Sequence, residues 1–340
     1  MTGGCYDNAE SMSSKHPAST RPEEAPVTVT DERKATPTPS AAVPEGITDR
    51  ARHERRLGWW LSAPAVILML AVTAYPMLNA LYLSLFSYRL TDPSGKRFVG
   101  LGNYWVVLSD PLWWQDVFTT FIITVITVAF ELVIGFIFAM VMHRIIFGRR
   151  TVRTSILVPY GIITVVSAFA VRYAFALDSG FVNNWFGLGT FDWFGQRWSA
   201  LFVICVSEIW KTTPFISLLL LAGLAQVPDV LQEASQVDGA TFWQRMFKVT
   251  IPNMKAAIMV ALLFRTLDAW RVFDNVFITT AGAQKTETLS FLTYRQSVTR
   301  VALGIGSAVS VLLFLSVLLI AYIFIKGFKT DLGTVRGDKR

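Results

Sequence analysis

The sequence predicts an all-α, polytopic membrane protein with six transmembrane helices. Three observations predict it. Of 340 residues, 53% are hydrophobic and only 16% are charged, well below the roughly 25% usual in soluble domains. The apolar residues gather in blocks long enough to cross a hydrocarbon core, which takes about 20 helical residues. Lys and Arg cluster on alternate loops between those blocks, the asymmetry that membrane topology imposes.

Residues 1–50 are rich in Pro, Ser, Thr, Ala and Glu. Such a segment cannot bury enough surface to offset its ordering entropy, so it reads as a disordered cytoplasmic tail. It lacks the basic start and short apolar core of a signal peptide. A membrane domain over residues 51–328 follows, and residues 329–340 form a short cytoplasmic tail. The spans fall at residues 59–86, 117–142, 155–177, 200–224, 254–280 and 301–325. Trp59 and Trp60 sit where an interfacial aromatic belt belongs, and Pro76 is expected to kink the first helix.

Arg52, Arg55 and Arg56 precede the first span. Arg144, Arg149, Arg150 and Arg153 lie between the second and third, and Arg245, Lys248 and Lys255 between the fourth and fifth. Lys326, Lys329, Arg336, Lys339 and Arg340 follow the sixth, and the opposite loops carry fewer. The positive-inside rule therefore puts both termini in the cytoplasm. These flanks account for the net charge of +7 without the basic, aromatic-studded face of a nucleic-acid binder. Cys5 and Cys205 give neither a disulfide framework nor a zinc spacing. His16, His53 and His143 all lie outside the spans, so no metal cluster or nucleophile–base set emerges. Two opposite loops, residues 88–116 and 178–198, are Trp- and Gly-bearing and read as compact interfacial segments.

The loop between the fourth and fifth spans, residues 226–252, carries helix signals. Pro228 stops the preceding helix. Asp229 with Gln232, and Thr241 with Gln244, have capping-box spacing. Gly239 can end the first short helix. Val230, Ala234 and Val237 share one face, and Phe242, Met246 and Val249 another. Periodicity leaves two readings open: a hairpin lying on lipid, or an element that docks into a partner's groove.

Within that loop, Glu233-Ala234-Ser235, then Gly239, then Val249-Thr250-Ile251-Pro252 resemble the Glu-Ala-Ala loop of binding-protein-dependent ABC importer permeases. The spacing matches throughout. Ser235, Val249 and Ile251 depart conservatively from that pattern. Phe98-Val-Gly-Leu-Gly-Asn-Tyr104, Leu157-Val-Pro-Tyr160, Trp210-Lys-Thr-Thr-Pro-Phe215, Asp238-Gly-Ala240 and Phe273-Asp274 are similar to motifs of the carbohydrate branch, the maltose and glycerol-phosphate permease type. Thr280-Ala-Gly-Ala-Gln284 departs from that branch's Thr-x-Gly-Gly-Pro.

The resemblance implies a type I ABC importer permease fold. It implies a transport subunit rather than an enzyme, in a bacterial plasma membrane, moving a carbohydrate by alternating access; within the group the chain resembles actinobacterial trehalose permeases, so the cargo would be a disaccharide such as trehalose. Implied partners are a second homologous permease, two cytoplasmic ATPase subunits that carry the ATP and Mg, and an extracytoplasmic sugar-binding protein. This chain has no phosphate-cradling Gly-x-x-x-x-Gly-Lys-Ser/Thr loop, so it holds no cofactor of its own. Residues 229–252 would couple to the ATPase, through Glu233, Ala234, Asp238, Gly239, Ala240, Phe242 and Arg245.

Charges inside a bilayer are expensive and usually face a wet cavity. The fifth span carries Arg265, Asp268, Trp270, Arg271, Asp274 and Asn275. In a continuous helix Asp268, Arg271 and Asn275 share a face. Carboxylate, amide and Arg with an aromatic ring suit a sugar, so Asp268, Trp270, Arg271, Asp274 and Asn275 are the expected substrate residues. The competing expectation is internal pairing, Arg265 with Asp268 and Arg271 with Asp274. Glu208 and Lys211 are expected to pair likewise. Arg172 is expected to snorkel, and Glu131 has no partner in its own helix. An ion-gradient-driven secondary transporter using Glu131, Glu208 or Asp268 as a proton relay is the alternative.

Overall fold

The structure is a computed structural model and describes residues 49–145 and 147–327. The two predicted tails therefore lie almost wholly outside the described residues. These residues form two units, divided after Ser62. The first is the beginning of helix α1 (Asp49–Ser84). The second holds everything from Ala63 on.

In chain order after α1 come a hairpin of β1 (Phe86–Arg89) and β2 (Asp92–Phe98), then α2 (Gly102–Ser109) and α3 (Pro111–Arg144). Next are α4 (Arg149–Gly161), α5 (Thr164–Ala174), α6 (Val182–Phe186) and α7 (Arg197–Leu224). Then follow α8 (Asp229–Val237), α9 (Phe242–Arg245), a π-turn over Met246–Thr250, α10 (Ile251–Asn253), α11 (Lys255–Ala269) and α12 (Asp274–Thr279). The chain closes with α13 (Leu289–Tyr294), a π-turn over Arg295–Thr299 and α14 (Leu303–Gly327). Four helices are long and apolar enough to cross a membrane: α1 from Arg56, α3, α7 and α14. Counting each of two bent pairs as one span brings the number among the described residues to six.

The break within the third span and an interruption within the fifth correct the expectation of six plain helices. The third span breaks by 88° between α4 and α5. Pro159 inside the last turn of α4 cannot donate to the ladder. The Lys211 ammonium of α7 then donates to the Ile162 carbonyl at the break, 2.9 Å away. That bond replaces the expected Glu208–Lys211 pair. The fifth span bends by 70° at Met254, just past Pro252, and is interrupted again at residues 270–273 before α12. Arg172 does not snorkel. Its Nη1 donates to the Ile278 carbonyl in the last turn of α12, at 2.6 Å, where a cation suits the helix end. No helix break falls at Pro64 or Pro76 in α1.

The hairpin opens the stretch of residues 88–116 that reads from sequence only as a compact interfacial segment, and it is a strand pair set among the helices. Phe86 faces Phe98 and Ser87 faces Arg97. Asn103 Nδ2 donates to the Ser84 and Phe86 carbonyls at 2.7 and 2.9 Å, and the Tyr104 and Ser84 hydroxyls lie 2.6 Å apart. The Asn-Tyr of the recognised motif thus ties α2 to the end of α1. Gly304 lets α14 approach: a Cβ there would lie 2.1 Å from the Phe86 carbonyl oxygen.

α7 is the central helix, with two thirds of its apolar window buried against a third for α3 and none for α1. Gly135 of α3 meets Ile216 of α7 closely enough that a Cβ would lie 2.9 Å from it, the small-residue contact by which membrane helices pack. Ala139, Ile216, Leu220, Met254 and Ala261 fill the core at the Leu224 end of α7, and Ile123, Leu201, Ile204 and Val276 fill it at the other. Between Ala63 and Ser84 only Ser84 is buried.

At the Arg197 end of the bundle, Glu287 lies between the spans and is buried, its Oε2 accepting from Arg295 Nη1 at 2.6 Å. Asp116 is close by, because Thr120 one turn further along α3 accepts from the Leu289 N–H at 3.1 Å. Burial pushes the Glu287 carboxyl up from 4.5 to about 7, against the pull of Arg295 and Arg300. Between those two values the folded protein keeps a proton that the unfolded chain has released. The Glu287 contribution to stability is therefore expected to fall as pH rises from about 4.5 to about 7. Thermal unfolding in detergent from about pH 5 to 8 checks it: wild type loses stability across the window, and Glu287→Gln loses less.

Candidate functional site: an exposed elbow and a polar cleft

The elbow is built as the turn chemistry dictates. α8 ends in a Schellman motif: Gly239 N–H donates to the Gln236 carbonyl and Ala240 N–H to the Ser235 carbonyl, both at 3.0 Å. Gly239 sits at φ +75°, where a Cβ would be strained. α9 starts with a complete capping box: Thr241 N–H donates to Gln244 Oε1 at 2.8 Å, and Gln244 N–H to Thr241 Oγ1 at 3.4 Å. The expected box at Asp229 is absent. Pro228 is the N-cap and Asp229 lies in the first turn, where its charge suits the helix dipole instead.

No residue of α8 is buried. Val230, Val237, Trp243 and Phe247 are all exposed, Val237 by 87%. Glu233, Ala234, Asp238 and Gly239 are exposed as well, while Ala240, Phe242 and Arg245 are half-buried. Met246 anchors the elbow in the core, and the Arg144 guanidinium at the end of α3 lies 5.0 Å from the Phe242 ring centre. So α8 presents an apolar surface that the described residues leave uncovered. Through the 70° bend, the elbow runs directly into α11.

α11 carries Arg265, buried to 1%, and this residue answers the question of Glu131. Arg265 Nε and Nη2 donate to the two Glu131 oxygens of α3 at 2.5 and 2.9 Å, a bidentate pair. Nη2 also reaches Glu208 of α7 at 3.2 Å, and Nη1 donates to Asp268 at 2.6 Å. Thr212 Oγ1 donates to Glu131 at 2.6 Å, and Asn275 Nδ2 to Glu208 at 3.1 Å. Internal pairing thus holds for Arg265 with Asp268. Among the described residues Arg271 makes no ion pair with Asp274; its Nε donates to the Leu267 carbonyl at 3.2 Å.

Beside this cluster lies a cleft of about 570 Å³. Tyr160, Ile162, Glu208, Lys211, Thr212, Arg265, Asp268, Arg271 and Asp274 line it, so the α4–α5 break forms one wall. A smaller cleft of about 330 Å³ adjoins it, sharing Tyr160, Thr212, Asp268 and Arg271 and adding Phe215. Three of the five expected substrate residues, Asp268, Arg271 and Asp274, reach the cleft. Trp270 and Asn275 do not; for Asn275 the reason is the interruption at residues 270–273, which removes the face expected to join it to Asp268 and Arg271. Trp270 packs against Leu289 and Val309 and donates to Ser316 Oγ at 2.9 Å. Asn275 faces Ile204 and Glu208. The aromatic surface in the cleft is Tyr160, stacked on Phe215 with ring centres 5.6 Å apart. Both were quoted in motifs, yet neither signalled a site, since aromatic residues abound in these spans.

These features suit a membrane-embedded transport subunit: helices long enough for the bilayer, a polar cleft between them and an exposed elbow at one end. The chain belongs to the family of binding-protein-dependent transport system inner membrane components, which residues 113–330 match. It is 48% identical over 275 residues, 81% of this chain and 89% of the relative, to the trehalose transport system permease protein SugA of Mycobacterium tuberculosis. It is 34% identical over 287 residues, 82% and 96% of the two chains, to the trehalose/maltose transport system permease protein MalF of Thermococcus litoralis. Its fold matches a chain in the crystal structure of a bacterial ABC transporter involved in the import of alginate, with TM-score 0.71, 22% identity and coverage of 82% and 98%. The chain is thus a permease of the type I ABC importer fold and not an enzyme. Such a permease works with an ATPase and a substrate-binding protein.

Proposed function

We propose that this permease imports a sugar, a disaccharide such as trehalose, in a complex with a second homologous permease, two ATPase subunits that hold ATP and Mg, and an extracytoplasmic binding protein. Both termini lie in the cytoplasm of a bacterial plasma membrane. The elbow is the coupling element. Glu233, Ala234, Asp238, Gly239 and Ala240 on α8 and its turn, with Phe242 and Arg245, seat in the ATPase. The observation that carries this reading is α8 itself, a helix whose apolar face the described residues leave uncovered and whose chain continues through the Gly239 turn, α9 and the 70° bend into the helix bearing Arg265 and Asp268. A closing ATPase dimer would move that lever and, with it, one cleft wall.

Two relatives named for trehalose support the cargo, as does a cleft that combines Asp268, Arg271 and Asp274 with the Tyr160 ring. Hydroxyls take carboxylate and guanidinium partners, and an apolar sugar face takes the ring. Trp270 and Asn275 support the site from behind. A proton relay loses its support because Glu131 and Glu208 are both held by Arg265. The test is ATPase activity of the reconstituted complex with a panel of sugar-loaded binding proteins. Trehalose loading should stimulate hydrolysis. Uptake driven by an ion gradient without ATP would overturn the reading.

A further inference from the structure

One wall of the cleft is anchored by Arg265, which lines it and is itself 1% exposed. Arg265 has five N–H donors in a rigid planar fork. Here that fork serves three carboxylates at once: Glu131 of α3, Glu208 of α7 and Asp268 of its own helix. Glu131 and Glu208 are themselves fixed by Thr212 and Asn275. The guanidinium therefore cannot swing toward the cleft. Asp268 is the exposed member of the group, its side chain 63% accessible. One of its oxygens, Oδ2, is committed to Arg265, so Oδ1 is the atom it offers to a ligand.

Resting on the reading of the cleft as the sugar path, we propose that Arg265 is a positioning residue that sets substrate class: it fixes Asp268 as a one-oxygen acceptor, which selects a neutral, hydroxyl-rich ligand. The charges lining the cleft agree. Glu208, Asp268 and Asp274 face Lys211, Arg265 and Arg271, and they cancel. Lys211 is tied to the Ile162 carbonyl and the Arg271 Nε to the Leu267 carbonyl, which leaves the outer Arg271 nitrogens for ligand oxygens. Lys could not replace Arg265, because one ammonium cannot hold a carboxylate bidentately on one side and a second carboxylate on the other.

A double-mutant cycle on uptake of labelled trehalose by the complete reconstituted complex, matched for assembled protein, tests this. Asp268→Asn and Arg265→Lys should each lower uptake by roughly tenfold, the scale of one charge-assisted hydrogen bond. The double variant should transport no worse than Asp268→Asn alone, because both changes remove one function. A purely structural Arg265 would give multiplied losses, and that result, or wild-type uptake by Arg265→Lys, overturns the proposal. Wild-type uptake by Asp268→Asn would instead sink the cleft reading itself. Should Arg265→Lys fail to assemble, Glu131→Gln takes its place in the same cycle: it loosens the fork from behind, and additivity with Asp268→Asn again overturns the proposal.

Discussion

Replacing Arg265 with Ala is expected to destabilise the permease by about 3–5 kcal/mol, the cost of breaking a buried ion pair from one side. Arg265 and Glu131 are both buried, to 1% and 0% exposure. Without the guanidinium, Glu131 keeps only the Thr212 hydroxyl and Glu208 only Asn275. Neither amide nor hydroxyl offsets an uncompensated carboxylate within an apolar bundle. The loss should exceed that from removing one methyl group in the adjoining core, as in Ile216→Val, which costs about 0.5–1.5 kcal/mol. Thermal unfolding of the purified complex measures it. An Arg265→Ala protein that assembles in wild-type yield and melts at the wild-type temperature would mean that the cluster does not hold α3, α7 and α11 together.

This cluster also shows where the sequence was legible. Membrane class, the four unbroken spans and the elbow could be read from it, since each rests on a local signal: block length, basic flanks, capping spacing and one glycine. Glu131 marked a problem that sequence alone could not solve, because its partner is 134 residues away. The charge demanded a partner, but choosing between Arg265, Lys211 and Arg271 required the packing of three helices. The broken spans were hidden for a related reason. Pro159 is visible, yet it takes the Lys211–Ile162 bond to make an 88° break stable inside the bundle. Once the fifth span is interrupted at residues 270–273, helical spacing no longer sorts its side chains. That is why Asn275 does not share a cleft-facing side with Asp268 and Arg271. The hairpin was missed because Asp92–Phe98 has no apolar alternation. It is held by Asn103 and by the flat surface of Gly304, not by its own pattern.

Gly239→Pro should abolish sugar uptake while leaving the chain in the membrane. Two separate physical requirements fail in that variant. Gly239 occupies φ +75°, and a proline ring locks φ near −65°. Its N–H closes the turn onto the Gln236 carbonyl, and proline has none. The bundle is insulated from the damage, because no residue of α8 is buried and a Cβ on Gly239 would meet nothing within 4 Å. The change therefore acts on the angle between α8 and α9. An error of about an ångström in a mechanically coupled element can cost on the order of a hundredfold in rate, and uptake should fall at least that far. Gly239→Ala separates the two requirements. It keeps the N–H, clashes with nothing and carries only the left-handed backbone cost of about 1 kcal/mol, so it should retain most of the uptake. Equal and complete loss in both variants would point to a side-chain contact at this position in the ATPase. Normal uptake by Gly239→Pro would mean that force does not pass through the turn between α8 and α9.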